Sequence, residues 1–136
     1  MAKAGDTYTI TLRMAHLKWG EYRYTGSRDI IYGEGYIPIP KKHAIAFNIL
    51  NNNGTNEAGI LGTNLFKCKS KDGLFEGVLR AQGACRAGEQ YAKQFAGNKN
   101  LKALGDWFYD IGADIGDKVR VTWTSPTDII IEHIPK

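Results

Sequence analysis

The chain has 136 residues (15.1 kDa), 43% of them hydrophobic and 24% charged, a length and balance that suit one core-bearing domain and exclude a disordered tail or a collagen-like fibre. Eighteen basic against fourteen acidic residues give a net charge of +4 and a pI near 9.1. The two cysteines, Cys68 and Cys85, form no Cys-x-x-Cys pair and read as buried, reduced thiols, so a disulfide-framed miniprotein is excluded too.

In chain order, Thr7–Met14 alternates polar and larger side chains and predicts a strand with Tyr8, Ile10, Leu12 and Met14 on one face. Residues 18–35, rich in Gly, Tyr and charge, read as an extended loop or short hairpin. Gly35–Pro40 cannot be a central strand, because Pro38 and Pro40 have no amide to donate, so it reads as an edge strand feeding a helix. Pro40 suits the first turn of that helix, where its missing amide would have no partner anyway. Lys41–Phe47 continues the helix, offering Ala44, Ile45 and Phe47 to the core. Asn51–Asn56 reads as a polar loop.

Asn64–Lys69 and Leu74–Arg80 then form a hairpin around Ser70-Lys71-Asp72-Gly73, since Asp-Gly between alternating segments is a strong turn signal. Residues 81–99 are small and polar, with Gln90–Phe95 a candidate helix. Asp106–Tyr109 reads as a short aromatic helical turn. Gly116-Asp117 turns into a strand over Lys118–Thr124 with Val119, Val121 and Trp123 on one face. Ser125–Asp128 turns again into a last strand, Ile129–Glu132. Many short strands with a few short helices predict one small, mostly-β (α+β) barrel or sandwich domain over residues 1–136. Trp107 and Trp123 are expected in the core, whereas Trp19, in a polar loop, is left open as a stacking platform.

The chemistry-bearing residues do not assemble into a recognisable catalytic motif. His16, His43 and His133 are isolated, with neither helical pairing nor a nearby cysteine pair, so a metal site would have to be drawn together from afar. There is no Gly-x-Ser-x-Gly elbow and no phosphate-cradling glycine loop. Asp106, Asp110, Asp114 and Asp117 are read as a solvated acidic face, because Gly112 and Gly116 interrupt any helix there. No active site, cofactor or metal is therefore expected. The first 99 residues hold fourteen basic and eight acidic side chains, so this part of the chain could present a basic face to a polyanion. The N-terminus lacks the apolar stretch of a signal peptide, and no apolar run approaches the ~20 residues of a membrane span, so the expectation is a cytoplasmic protein with no membrane partner.

Tyr36-Ile37-Pro38-Ile39-Pro40-Lys41-Lys42-His43-Ala44 resembles the strand, Ile-Pro-Lys-Lys, helix signature of the plant B-three DNA-binding domain. Later landmarks fall in the same order: the Asp72-Gly73 hairpin before Phe75 and Leu79-Arg80, then Gly105-Asp106-Trp107-Phe108 against the family's Gly-Trp-x-x-Phe helix, with one residue inserted. Ile115-Gly116-Asp117-Lys118-Val119 is similar to its Leu-x-x-Gly-Asp-x-Val turn. The resemblance spans roughly residues 20–134 and departs from the plant pattern over 87–104. It implies a seven-stranded open pseudobarrel with two short helices. Such domains also serve prokaryotic restriction endonucleases as DNA-recognition domains, gripping the major groove with two arms.

By position, the N-arm falls on Arg23-Tyr24-Thr25-Gly26-Ser27-Arg28-Asp29 and the C-arm on Arg80-Ala81-Gln82-Gly83-Ala84-Cys85-Arg86. Arginine can fork onto guanine and glutamine onto adenine, so Arg23, Arg28, Arg80, Gln82 and Arg86 are the leading base-contact candidates, with Thr25, Ser27 and Asp29 beside them. Lys41 and Lys42, opening a helix, suit phosphates, and Lys18, Lys67, Lys69, Lys71 and Lys93 could add further phosphate contacts. The implied partner is double-stranded DNA, together with a nuclease domain or subunit. Two rivals stay open: a small ligand- or protein-binding barrel, and an enzyme whose site is assembled from distant residues.

Overall fold

The computed structural model describes residues 2–13, 16, 35–51, 59–83, 90–100 and 102–136. Among them are seven strands: β1 (Thr7–Thr11), β2 (Ile37–Pro38), β3 (Leu65–Ser70), β4 (Glu76–Gln82), β5 (Gln94–Gly97), β6 (Lys118–Ser125) and β7 (Asp128–Ile134). Two helices, α1 (Lys41–Ala46) and α2 (Ala103–Asp110), complete the described elements. The strands form one sheet in the order β1-β6-β7-β3-β4-β5-β2. Neighbours run antiparallel except β3 and β7, which are parallel. The sheet curls into a nearly closed, mostly-β barrel, with the seven strands and two short helices that the resemblance implies.

Period-two alternation accounts for the curl. In β1 the threonines face out while Tyr8 and Ile10 are buried, and Leu12 continues the inner row. Val119, Val121 and Trp123 do the same in β6. Trp123 lies at the centre of the core, with its ring near Tyr8, Phe47, Phe66 and Phe95. Trp107, from α2, is 1% exposed and plugs one end of the barrel. Burying two Trp and two Phe side chains removes the largest apolar areas in the chain from water, ~150–250 Å² each. That packing lets short strands of modest propensity hold together.

Glycine allows α2 to come close. A Cβ on Gly97 would overlap the Asn100 carbonyl oxygen and sit 2.7 Å from the Ala103 Cβ. A Cβ on Gly35 would lie 3.0 Å from the Gly105 backbone. α2 is thereby seated directly on the ends of β5 and the chain entering β2.

Three local expectations are corrected. Ile45 points away from the core and is 48% exposed, because a six-residue helix buries one narrow stripe, here Ala44 with Phe47 packed beside it. Gln90–Phe95 is not helical: Tyr91 makes a β-bridge with Leu50, and β5 begins at Gln94, paired with β4 on one side and β2 on the other. Ladder partners on both sides override a polar segment's local preference. The acidic face is not uniform either. Asp106, Asp110 and Asp114 are exposed, but Asp117 is 4% exposed and works inside the fold. Met14, Trp19 and Cys85 lie outside the described residues. Cys68 is buried as expected, and burial pushes its thiol far up, which leaves it protonated and inert.

The barrel stops short of closure at one seam, between edge strands β1 and β2. Ile39 donates its amide to the Lys93 carbonyl, so odd-numbered residues of this strand bond inward to β5, and Tyr36, Pro38 and Pro40 are left facing β1. Two of these three residues are prolines and have no amide to give. One side chain bridges the gap: the Tyr8 hydroxyl donates to the Pro38 carbonyl at 3.0 Å. Burial raises the Tyr8 phenol well above its ordinary value, so it remains a donor.

Candidate nucleic-acid interface

β4 carries the only described base-contact candidates. Leu79 and Ala81 point into the core, so Arg80 and Gln82 point outward and are half-buried. Arg80 is oriented by a 3.1 Å bond from its Nε to Asn98 Oδ1. The Asn98 amide in turn bonds to the Val78 carbonyl, so this acceptor is fixed by the strand it serves. Gln82 stands at the end of β4, level with Gln94, and its carbonyl accepts the Lys93 amide. Arg23, Thr25, Ser27, Arg28, Asp29, Arg86 and Lys18 lie outside the described residues.

The lysines fall into three groups. Lys41 and Lys93, both exposed, line one depression of about 310 Å³ with Ile39, Tyr91 and Ala92, beside the end of β4. Lys42 is exposed in the first turn of α1. Lys67 and Lys69 project from the outer face of β3 into a groove of about 570 Å³, floored by Val78 and Ile130. Each has a carboxylate level with it, Asp128 beside Lys67 and Glu76 beside Lys69. Lys71 sits on the β3–β4 turn, at the far end of β4 from Gln82, and pairs with Glu132 at 3.1 Å. The fold thus gathers Lys41 and Lys93 near Gln82, gives Lys67 and Lys69 mixed-charge surroundings, and turns Lys71 toward β7.

Two features escaped the sequence. Asn51 is fully buried, and its Nδ2 reaches the carbonyls of Gly83 (3.1 Å) and Tyr91 (3.3 Å) while its amide bonds to Gln90. It therefore holds Gly83, within the C-arm expectation, together with Gln90 and Tyr91. In a run of three asparagines, nothing marks this one. The second feature is the 2.7 Å contact of His133 Nε2 with Asp117 Oδ2 at the other end of the barrel. Asp117 also accepts the amides of Asp114 and Lys136. The His133 bond, with these amides behind it, outweighs burial and holds the carboxyl down at about 2. The two residues are sixteen apart in sequence, and no spacing rule joins them.

The remaining histidines are structural neighbours of the seam. His43 stacks between Tyr8 and Phe47, and burial followed by the Lys42 charge lowers its pKa. His16 Nδ1 accepts the Arg13 amide at 3.0 Å, and its carbonyl accepts the Tyr36 amide. Burial, then Arg13, lowers its pKa as well. Among the described residues no three His, Cys, Asp or Glu side chains converge as metal ligands, and no helix is long and apolar enough to cross a membrane. No protein-family model matches the chain, and neither a curated protein nor a solved structure does.

Proposed function

We propose that this barrel reads double-stranded DNA through the major groove, as the recognition part of a prokaryotic restriction-modification system in which a nuclease domain or subunit does the cutting. One observation carries the reading: Arg80 and Gln82, on the strand where the C-arm expectation begins, both turn outward from the barrel, and Lys41 and Lys93 lie beside the end of that strand. A guanidinium and a carboxamide are the groups that pair bidentately with guanine and adenine, and flanking lysines suit the phosphates on either side.

The test is selection from a randomised duplex library at moderate and raised salt. A short motif should be enriched and should survive the higher salt, and its preference at one position should relax in Arg80→Ala or Gln82→Ala. Absence of salt-dependent binding to any duplex would sink the reading.

A further inference from the structure

Among the described residues, the seam leaves β1 with a hydrogen-bonding edge that no strand pairs with. Leu12 donates to the Asp117 carbonyl and accepts the Gly116 amide, so even-numbered residues of this strand bond to β6. By alternation Thr9 and Thr11 turn their amides and carbonyls toward the seam. Opposite them, Pro38 and Pro40 have no amides, the Pro38 carbonyl is taken by Tyr8, and the Pro40 carbonyl accepts the first amides of α1. Sheet edges are usually blunted by charge or proline. Here the prolines protect β2, while β1 presents Thr-Tyr-Thr-Ile-Thr with no charge and no proline.

An opening of about 380 Å³ lies in this seam, walled by Ile10 and Thr11 on one side and Pro38, Ile39 and Pro40 on the other. Arg13 stands at its end, exposed and without an ion pair among the described residues. His16 anchors the Arg13 backbone there through Nδ1.

We propose that the β1 edge docks an extended, proline-free peptide segment of a partner protein as an added strand, with an acidic side chain of that segment against Arg13. Alternating main-chain donors and acceptors are met by another polypeptide backbone, as in strand addition to other exposed edges. A DNA backbone has no donors to offer the Thr9 and Thr11 carbonyls. The exposed cation at the end of the opening selects for a carboxylate. This proposal stands independently of the DNA reading.

The experiment pans a phage-displayed random heptapeptide library against the whole chain, then synthesises the enriched sequences. Acidic, proline-free peptides should be enriched. Their affinity should fall about tenfold or more in Arg13→Glu, because a like charge then faces the carboxylate. Arg13 is exposed, so that variant should keep the wild-type circular dichroism spectrum. Amide exchange at Thr9 and Thr11 should slow when peptide binds. No enrichment, binding indifferent to Arg13→Glu, or unchanged exchange at Thr9 and Thr11 would each overturn the proposal, whatever the duplex selection returns.

Discussion

Asp117 ties the stability of the fold to pH. Its native carboxyl titrates at about 2, against an ordinary 3.8. The unfolded chain therefore takes up this proton at a higher pH than the folded one. The stabilisation is complete above the ordinary value and is lost as pH falls through about 2. Thermal unfolding followed from pH 5 to pH 2 should show Tm falling over this window, with a shallower fall in Asp117→Asn. At neutral pH that variant should lose ~1–3 kcal/mol, since it strips a charged acceptor from an imidazole and two amides. If the barrel reads DNA as proposed, its contact candidates should separate differently. Arg80→Ala should lose ~1–3 kcal/mol of discrimination at one base position, whereas Lys93→Ala should weaken all duplexes alike and reduce the salt slope by ~1.

The elements were legible where local pattern and final environment agree. Tyr8, Ile10 and Leu12 alternate with threonines, so β1 could be read directly. Asp72-Gly73 fixed the hairpin, and the structure shows why it is firm: the Asp72 carboxylate takes the Leu74 amide, the Ser70 hydroxyl and the Trp107 indole N–H. β5 was not legible, because Gln94–Gly97 owes its form to strands on both sides and carries little propensity of its own. At the candidate interface, Arg80 and Gln82 could be named from the resemblance and residue type, but the Asn98 and Asn51 bonds that position their strand and its exit could not. Two variants probe the elements. Gly97→Ala should cost about 1–3 kcal/mol in denaturant unfolding, because its methyl collides with Asn100 and Ala103 and must push α2 outward. Tyr8→Phe should cost only about 1 kcal/mol, the value of one hydrogen bond across the seam.

For the whole molecule, the DNA reading proposed above draws on the net charge of +4 and its concentration in the first 99 residues. If about six phosphates are contacted, log affinity against log salt should fall with a slope near −5. A slope near zero would place the basic residues on a surface that serves solubility alone. The topology itself has a temporal consequence. β1 pairs with β6, Thr7 against Thr122, and β3 pairs in parallel with β7, Cys68 against Ile129. Among the described strands β1 is thus an edge held only by β6, more than a hundred residues later, and loops of this length must close before such pairings return any energy. Refolding should accordingly take milliseconds to seconds, as for other chains dominated by non-local contacts. A growing chain should stay vulnerable to proteases until β6 and β7 have been made, although the β3–β4 hairpin, built on local contacts, can form early.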